Sequence, residues 1–286
     1  MTSRTKLVTP SVRRLRAVRE WRCGDAMNGR RTIQGVAIVT LALGCSRAPV
    51  ARTMKVAAAA DLAIAFKDAG DAFEKKSGTH VTFTFGSTGN LAKQIEDGAP
   101  YDLFASANAA FADEVVREGV CDGSTKAPYA RGRIVVWTKS DAKIAPPATL
   151  ADLADARFAK IAIANPEHAP YGTAAEQALE SAGVWAAVKP KLVYGENVQQ
   201  TLEFAQSGNV DAAIIAMSLA TVAQGGQTLT IDEAAHKPID QVLVVCGRGG
   251  NADGAKAFTA FLSAPEGRAI MQRYGFTLPG ESTGDR

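Results

Sequence analysis

The feature that most constrains the fold is an alternation of short apolar segments with helical patterns, repeated from residue 55 to residue 274. Residues 55–59 have the composition of a buried strand, and Leu62, Phe66 and Phe73 then recur at helical spacing before Gly78 ends that pattern. No unit of fixed period repeats along the chain. Strand, turn and helix in this order predict an α/β protein with parallel sheets.

The other predicted strands and helices follow the same alternation. The strands are predicted at 80–85, 103–106, 134–138, 161–164, 192–194, 212–216 and 241–246. The helices are predicted at 91–95, 111–118, 150–153, 173–181, 198–206, from 218, 256–262 and 266–274. Ligands of α/β folds bind where strands end and helices begin, so the strand-to-helix turns are the candidate site.

The first fifth of the chain differs from the rest in charge. Residues 1–53 contain eleven Lys and Arg against two acidic residues, a net charge of +9, so residues 54–286 carry −6. The overall charge of +3 is therefore not a property of the folded body, and no nucleic-acid partner is expected. We interpret residues 1–53 as an export segment, with Met27 as the true start and residues 1–26 as an annotation extension.

The export segment has the plan of a secretory signal. Arg30 and Arg31 precede an apolar run at 33–43 that is too short to remain as a membrane span. The run ends at Cys45, and two processing routes stay open. Cleavage ahead of Cys45 would leave a lipid-anchored protein, whereas ordinary signal cleavage a few residues later would leave a free periplasmic one.

Two cysteines belong to the folded body, Cys121 and Cys246. Export would permit a disulfide between them. Sequence alone does not show that they meet, so a disulfide and two buried thiols are both open.

The first two turns follow the strands at 55–59 and 80–85. In the first, Asp61 is placed to cap the helix that begins at Leu62. In the second, Ser87 and Thr88 lie between Gly86 and Gly89 at a helix start, which offers hydroxyl donors, free amides and the positive end of a helix dipole. In isolation, such a string is more often a glycine-rich cap.

The third and fourth turns follow the strands at 161–164 and 192–194. The third contains two prolines and His168, which we interpret as a structural residue because no other His or Cys lies at metal-ligand spacing. In the fourth, Asn197 is placed to cap a helix and to leave the amide of Val198 free. None of the turns places a base next to a nucleophile in sequence, so catalysis is not expected.

Together, the turns resemble the periplasmic molybdate-binding proteins of ABC transporters. The matching segments, in the family's order, are VAAAADL (56–62), FGSTGNLAKQI (85–95), GAPYDLFASA (98–107), GRIVVW (132–137), ANPEHAPYG (164–172), PKLVYGENV (190–198) and RYGF (273–276). The resemblance implies a two-lobed type II periplasmic binding protein fold with two crossovers between lobes. Lobe one would be 54–133 plus 238–286, and lobe two 134–237.

The resemblance also implies a site for molybdate or tungstate and no cofactor or directly bound metal ion. The ligand-binding positions that it implies are Asp61, Ser87, Thr88, Tyr171, Val198, Ala216 and Met217. The partners that it implies are the permease and ATPase of an ABC importer, with the binding protein itself a monomer. Sulfate, phosphate, chromate or ferric ion on the same fold, an enzyme, and the sensor of a transcription regulator are the alternatives.

Two positions depart from the family pattern. Asp61 stands where the family has a serine donor, and an ionised carboxylate donates no hydrogen bond and repels a dianion. We expect Asp61 to turn away and cap its own helix, leaving its backbone amide toward the ligand; a changed ligand, protonated or cationic, is the competing interpretation. The tyrosine that some members use falls at Ala216 and Met217, so Ser218 is a candidate replacement donor.

Overall fold

The structure is a computed structural model that describes residues 52–281. The predictions for the export segment, including Met27, Arg30, Arg31 and Cys45, lie outside the described residues, apart from residues 52 and 53, which begin the first strand. Among residues 52–281, no helix has both the length and the apolar character needed to cross a membrane.

The described chain forms an α/β fold with two mixed sheets. The strands are β1 (Arg52–Ala59), β2 (Thr79–Gly86), β3 (Leu103–Ser106), β4 (Cys121–Gly132), β5 (Ile134–Lys139), β6 (Ile161–Ala164), β7 (Leu192–Gly195), β8 (Ala212–Ala216), β9 (Gly226–Thr230) and β10 (Ile239–Cys246). The helices are α1 (Ala63–Ser77), α2 (Thr88–Glu96), α3 (Ala109–Arg117), α4 (Pro170–Ser181), α5 (Trp185–Val188), α6 (Val198–Gln206), α7 (Met217–Ala220), α8 (Ala252–Ser263) and α9 (Pro265–Arg273).

Sheet one has the strand order β2-β1-β3-β10-β4, and sheet two has the order β7-β6-β8-β5-β9. The chain passes from sheet one to sheet two between Gly132 and Ile134, and it returns between Thr230 and Ile239. The first strand after the forward crossing is β5, and the first after the return is β10. Each lies inside its sheet rather than at its edge.

The expectation of purely parallel sheets was wrong. Strand β10 runs antiparallel to β3 and β4, and β5 runs antiparallel to β8 and β9. A buried apolar run has the same sequence pattern in either direction, so periodicity does not report strand polarity. The chain reaches β5 and β10 directly from the other sheet. No helical crossover within the same sheet precedes these two strands, and such a crossover is what keeps neighbouring strands parallel.

Two strands were not predicted, β4 and β9, and both are edge strands. Most of the first half of β4 is exposed, and the strand contains Pro128 and several polar residues. Edge strands bury fewer side chains and tolerate proline, so neither segment has the apolar run that marks the inner strands.

The core of sheet one is rich in aromatic side chains. Phe66 of α1 contacts Phe258 of α8 edge-on, with ring centroids 5.7 Å apart, and Tyr129 of β4 at 5.9 Å. Phe73 contacts Phe258 at 5.2 Å. These contacts fix α1 against the sheet, and the turn that precedes α1 is the first of the candidate ligand turns.

Cys121 and Cys246 form a disulfide that joins the paired strands β4 and β10. The two residues lie directly opposite each other in the antiparallel register. The bridge closes a loop of 125 residues that contains all of sheet two. The sequence left open whether these two cysteines pair. The pairing of two strands that are distant in the chain brings them together.

Candidate functional site

A small cavity lies where the four strand-to-helix turns meet. Its volume is about 10 Å³, far below the range of roughly 300–1,000 Å³ that is usual for drug-sized ligands. Sheet one contributes the turns after β1 and β2 and the end of β3, and sheet two contributes the turns after β6 and β7. The lining residues are Ala59, Ala60, Asp61, Gly86, Ser87, Thr88, Ala107, Ala169, Pro170, Tyr171, Asn197 and Val198.

Sheet two presents two helix N-termini to this cavity. Helix α4 begins at Pro170, which has no N–H, so the amide of Tyr171 is its first available donor. Helix α6 begins at Val198 after the cap residue Asn197, whose side chain accepts from the amides two and three residues further on at 3.0 and 3.1 Å. This confirms the predicted cap and leaves the Val198 amide without an intrahelical partner.

Sheet one presents a third helix N-terminus and two hydroxyls. Helix α2 begins at Thr88, whose hydroxyl accepts a hydrogen bond from the amide of Ala107 at 3.2 Å. Because that bond uses a lone pair, the Thr88 hydroxyl keeps its hydrogen for a ligand. Ser87 is the N-cap residue but makes no side-chain cap hydrogen bond.

The prediction that Asp61 caps its own helix was wrong. Asp61 lies in a short 3-10 turn at Ala60–Leu62, and the N-cap residues of that turn and of α1 make no side-chain cap bond. Its carboxylate instead accepts from the Tyr171 hydroxyl at 2.8 Å and from Gln241 Nε2 at 2.6 Å, both through Oδ2. The partners come from α4 and β10, elements more than a hundred residues away in the chain, so local sequence gave no indication of them.

The orientation of the Gln241 amide is fixed by a third residue. The Tyr129 hydroxyl donates to Gln241 Oε1 at 2.6 Å, which turns Nε2 toward Asp61 Oδ2 and the Tyr171 oxygen, 3.0 Å away. All four side chains are buried. Gly132 makes room for this network, because a Cβ there would lie 2.0 Å from the Tyr171 hydroxyl.

Burial dominates the ionisation of these groups. It raises the pKa of Asp61 from 3.8 to about 6, against the hydrogen bonds from Gln241 and Tyr171, which lower it. Burial, followed by the charge of Asp61, raises the pKa of Tyr129 and of Tyr171 well above 10. Both tyrosines are therefore neutral donors near pH 7, while the Asp61 carboxyl titrates close to that range.

The positions at the end of β8 are not among the cavity-lining residues. Ala216 ends β8, and the amide of Met217 donates to the Arg133 carbonyl at 2.9 Å. Ser218, the candidate replacement donor, donates its hydroxyl to the Asp61 carbonyl at 2.8 Å. That hydrogen is already used, so Ser218 ties α7 to the first turn and does not serve as a ligand donor.

A second contact joins the two halves of the cavity through His168. Its Nδ1 lies 2.9 Å from Ser87 Oγ, and its carbonyl accepts from the Gly89 amide at 2.9 Å. A Cβ on Gly89 would lie 3.0 Å from that carbonyl, so this close approach favours glycine. His168 therefore has a structural partner, as expected, although the partner lies in the opposite half of the cavity rather than in its own loop.

Sequence reasoning missed Gln241 and Tyr129. Gln241 is a fully buried polar residue within the apolar strand β10, and that mismatch was the available indication of a role. Tyr129 lies in the unpredicted strand β4, which gave no comparable indication.

Comparison with known proteins gives a consistent result. Residues 54–277 match the family described as bacterial extracellular solute-binding protein. The chain is 32% identical over 242 residues to the molybdate-binding protein ModA of Rhodobacter capsulatus, covering 85% of this chain and 95% of that protein. It is 31% identical to the putative ABC transporter substrate-binding lipoprotein YvgL of Bacillus subtilis, covering 79% and 86%.

The fold agrees with these sequence matches. The solved structure of the periplasmic molybdate-binding protein of Azotobacter vinelandii matches with a TM-score of 0.73 at 26% identity, covering 79% of this chain and 99% of that one. The predicted two-lobed periplasmic binding protein fold is thereby confirmed. The chain belongs to the bacterial extracellular solute-binding protein family and, within it, to the group of ModA molybdate-binding proteins.

Proposed function

We propose that this protein captures molybdate or tungstate outside the cytoplasm and delivers it to the permease and ATPase of an ABC importer. The observation that carries the proposal is the cavity at which three helix N-termini and the Thr88 hydroxyl converge. Helix N-termini stabilise anions through free amides and the helix dipole. The names of the relatives support the same ligand.

The chemistry of the lining favours an oxyanion over other small solutes. No Lys or Arg is among the residues that line the cavity, so neutral amides and hydroxyls would hold the charge. Neutral donors fixed in place bind a dianion without a mobile cation that would attract every anion equally. The cavity is also too small for an amino acid or peptide with its side chain.

The proposed ligand contacts involve fewer residues than the resemblance implied. We assign the hydroxyl and amide of Thr88 and the amides of Tyr171 and Val198 as donors. Asp61 is the fourth contact, with Ser87 beside them. Ala216 and Met217 are left out because neither lines the cavity.

The same proposal covers the lobes and the partners. Lobe one comprises 54–133 plus 238–286, and lobe two comprises 134–237, so the cavity lies between them. Closing the lobes over the ligand excludes water and presents the closed form to the importer. The protein acts as a monomer, either free in the periplasm or anchored through Cys45.

Calorimetric titration of the full-length protein tests the proposal. We expect saturable binding of molybdate and tungstate at one site per chain, with sulfate, phosphate and chromate as comparison ligands. Molybdate and tungstate share charge and shape, so both should bind. If neither molybdate nor tungstate binds, the proposed function is contradicted. If another oxyanion binds more tightly, that oxyanion is the ligand of the same site.

An enzymatic role is the alternative from a different class, and one contact favours it. Ser87 and His168 are within hydrogen-bonding distance, as a nucleophile and its base would be. The carboxylate that would orient the histidine is missing from this arrangement, because Glu196 is 4.0 Å from His168 Nε2 and largely exposed. A binding role accounts for the contact as a bridge between the two halves of the cavity.

A further inference from the structure

The Asp61 carboxyl group has two oxygens in very different surroundings. Oδ2 accepts two hydrogen bonds, from Tyr171 and Gln241. Oδ1 is buried and has no hydrogen-bond partner. Since Asp61 lines the cavity, Oδ1 is the polar atom of this side chain that is left for a ligand.

The hydrogen-bond directions determine where a proton can be on this carboxyl group. Tyr129 donates to Gln241 Oε1, so Gln241 must present its N–H hydrogens to Asp61 Oδ2 and to the Tyr171 oxygen. Tyr171 in turn donates its own hydrogen to Oδ2. A proton on Oδ2 would point at these donors, so a neutral Asp61 carries its proton on Oδ1.

We propose that Asp61 and the bound oxyanion share one proton through Oδ1, so that the protein takes up a proton together with its anion. The inference rests on the proposed function. The proton comes from solvent and joins the carboxylate as an O–H that donates to a ligand oxygen. No other bond forms or breaks, and the proton returns to solvent when the anion leaves.

Electrostatics make the shared proton necessary. An ionised carboxylate and a dianion in contact repel each other, and the repulsion is strong in a buried cavity where water screens it little. Burial, partly offset by the hydrogen bonds from Gln241 and Tyr171, already raises the pKa of Asp61 to about 6. A dianion in the cavity raises that pKa further, so the bound state is protonated at a pH where the free protein is mostly ionised.

The other groups around Asp61 do not take this role. Tyr171 and Tyr129 stay neutral because burial raises their pKa well above 10, and Gln241 and Ser218 carry no charge. His168 contacts Ser87 on the far side of the second turn, with Glu196 beyond it. A His168→Gln variant is therefore the control for a contribution from this side chain.

The experiment is a molybdate titration of the full-length protein between pH 7 and pH 9, in buffers of low and high ionisation enthalpy. We expect uptake of about one proton per bound anion and a Kd that rises about tenfold for each pH unit. Asp61→Ser, which restores a neutral hydroxyl, should bind without proton uptake and without this slope. Asp240→Asn, an exposed carboxylate next to Gln241, is the matched control and should behave as the wild type.

Three outcomes separate the possibilities. Molybdate binding by the wild type with no proton uptake and a flat Kd would overturn the shared proton and leave the proposed function intact. Loss of the proton uptake in His168→Gln, with Asp61 intact, would overturn it as well. No binding of molybdate or of tungstate at any pH would overturn both proposals. The wild-type measurement decides the question even if Asp61→Ser fails to fold.

Discussion

The two halves of the cavity offer different chemical groups to a ligand. The sheet-two half consists of the turns before α4 and α6 and presents the backbone amides of Tyr171 and Val198. The sheet-one half consists of the turns after β1 and β2 and presents side chains, Asp61 and Thr88, beside the amide that begins α2. Any residue except proline supplies an amide, whereas a side-chain contact changes with each substitution.

This difference bears on Asp61, which belongs to the side-chain half and places an acid where the resemblance to molybdate-binding proteins led us to expect a donor. In the amide half the contacts survive substitution because Pro170 and Asn197 fix the helix starts. Evolutionary change of ligand or of pH response is therefore expected from the sheet-one half, and the following predictions test that division.

The largest expected effect is on the stability of the ligand-free protein. The pKa of Asp61 is 3.8 before folding and about 6 in the folded protein, so the folded state binds the proton more tightly. The protonated carboxyl group of Asp61 stabilises the folded state fully below about pH 4, and this stabilisation is lost as the pH rises through 6. At about 1.4 kcal/mol for each pH unit, the loss is about 3 kcal/mol.

Denaturant unfolding of the wild type and of Asp61→Asn from pH 3 to pH 8 measures this effect. The difference between the two free energies of unfolding should change by about 3 kcal/mol across that range. Taking the difference removes the other carboxylates, such as Asp152, whose pKa is lowered chiefly by the Thr149 hydroxyl and which act in the opposite direction. If the difference does not change with pH, the pKa of Asp61 is the same in the folded and the unfolded protein.

The second effect concerns the hydroxyl of Thr88. Thr88→Val removes the donor at nearly constant volume and should weaken molybdate binding about 10- to 100-fold, since a hydrogen bond to a charged group contributes about 1.5–3 kcal/mol. Thr88→Ser keeps the hydroxyl and should bind within about threefold of the wild type. Equal affinities for the Val and Ser variants would remove Thr88 from the ligand contacts.

The smallest effects separate an amide from its side chain at Val198. Val198→Ala shortens a buried side chain and should lower stability, yet leave the Kd for molybdate within about twofold. Val198→Pro changes the side chain and also deletes the N–H, at the first helical position where proline is well tolerated, and should weaken binding about tenfold. If the Ala variant loses more affinity than the Pro variant, the sheet-two half does not bind through its amides.

Several features of the site followed from the sequence because they depend on local chemistry. Asn197 caps α6 as predicted, and Ser87 and Thr88 lie at the start of α2, where glycines and hydroxyls mark a helix N-terminus. The alternation of apolar segments predicted the α/β class. These features involve residues within a few positions of one another, so the chain segment itself contains the information.

The rest depended on residues that meet only in the folded chain. Asp61 looked like a cap, but Tyr171 and Gln241 donate to its carboxylate instead. Tyr171 comes from α4 after sheet two's β6, and Gln241 is brought near by the position of β10 within sheet one. The Cys121–Cys246 bridge and the antiparallel direction of β10 arise from the same long-range pairing. Sequence determined which groups stand at each turn. The tertiary structure decided which of them are buried together, and burial raises the pKa of Asp61, whose second oxygen is left without a hydrogen-bond partner.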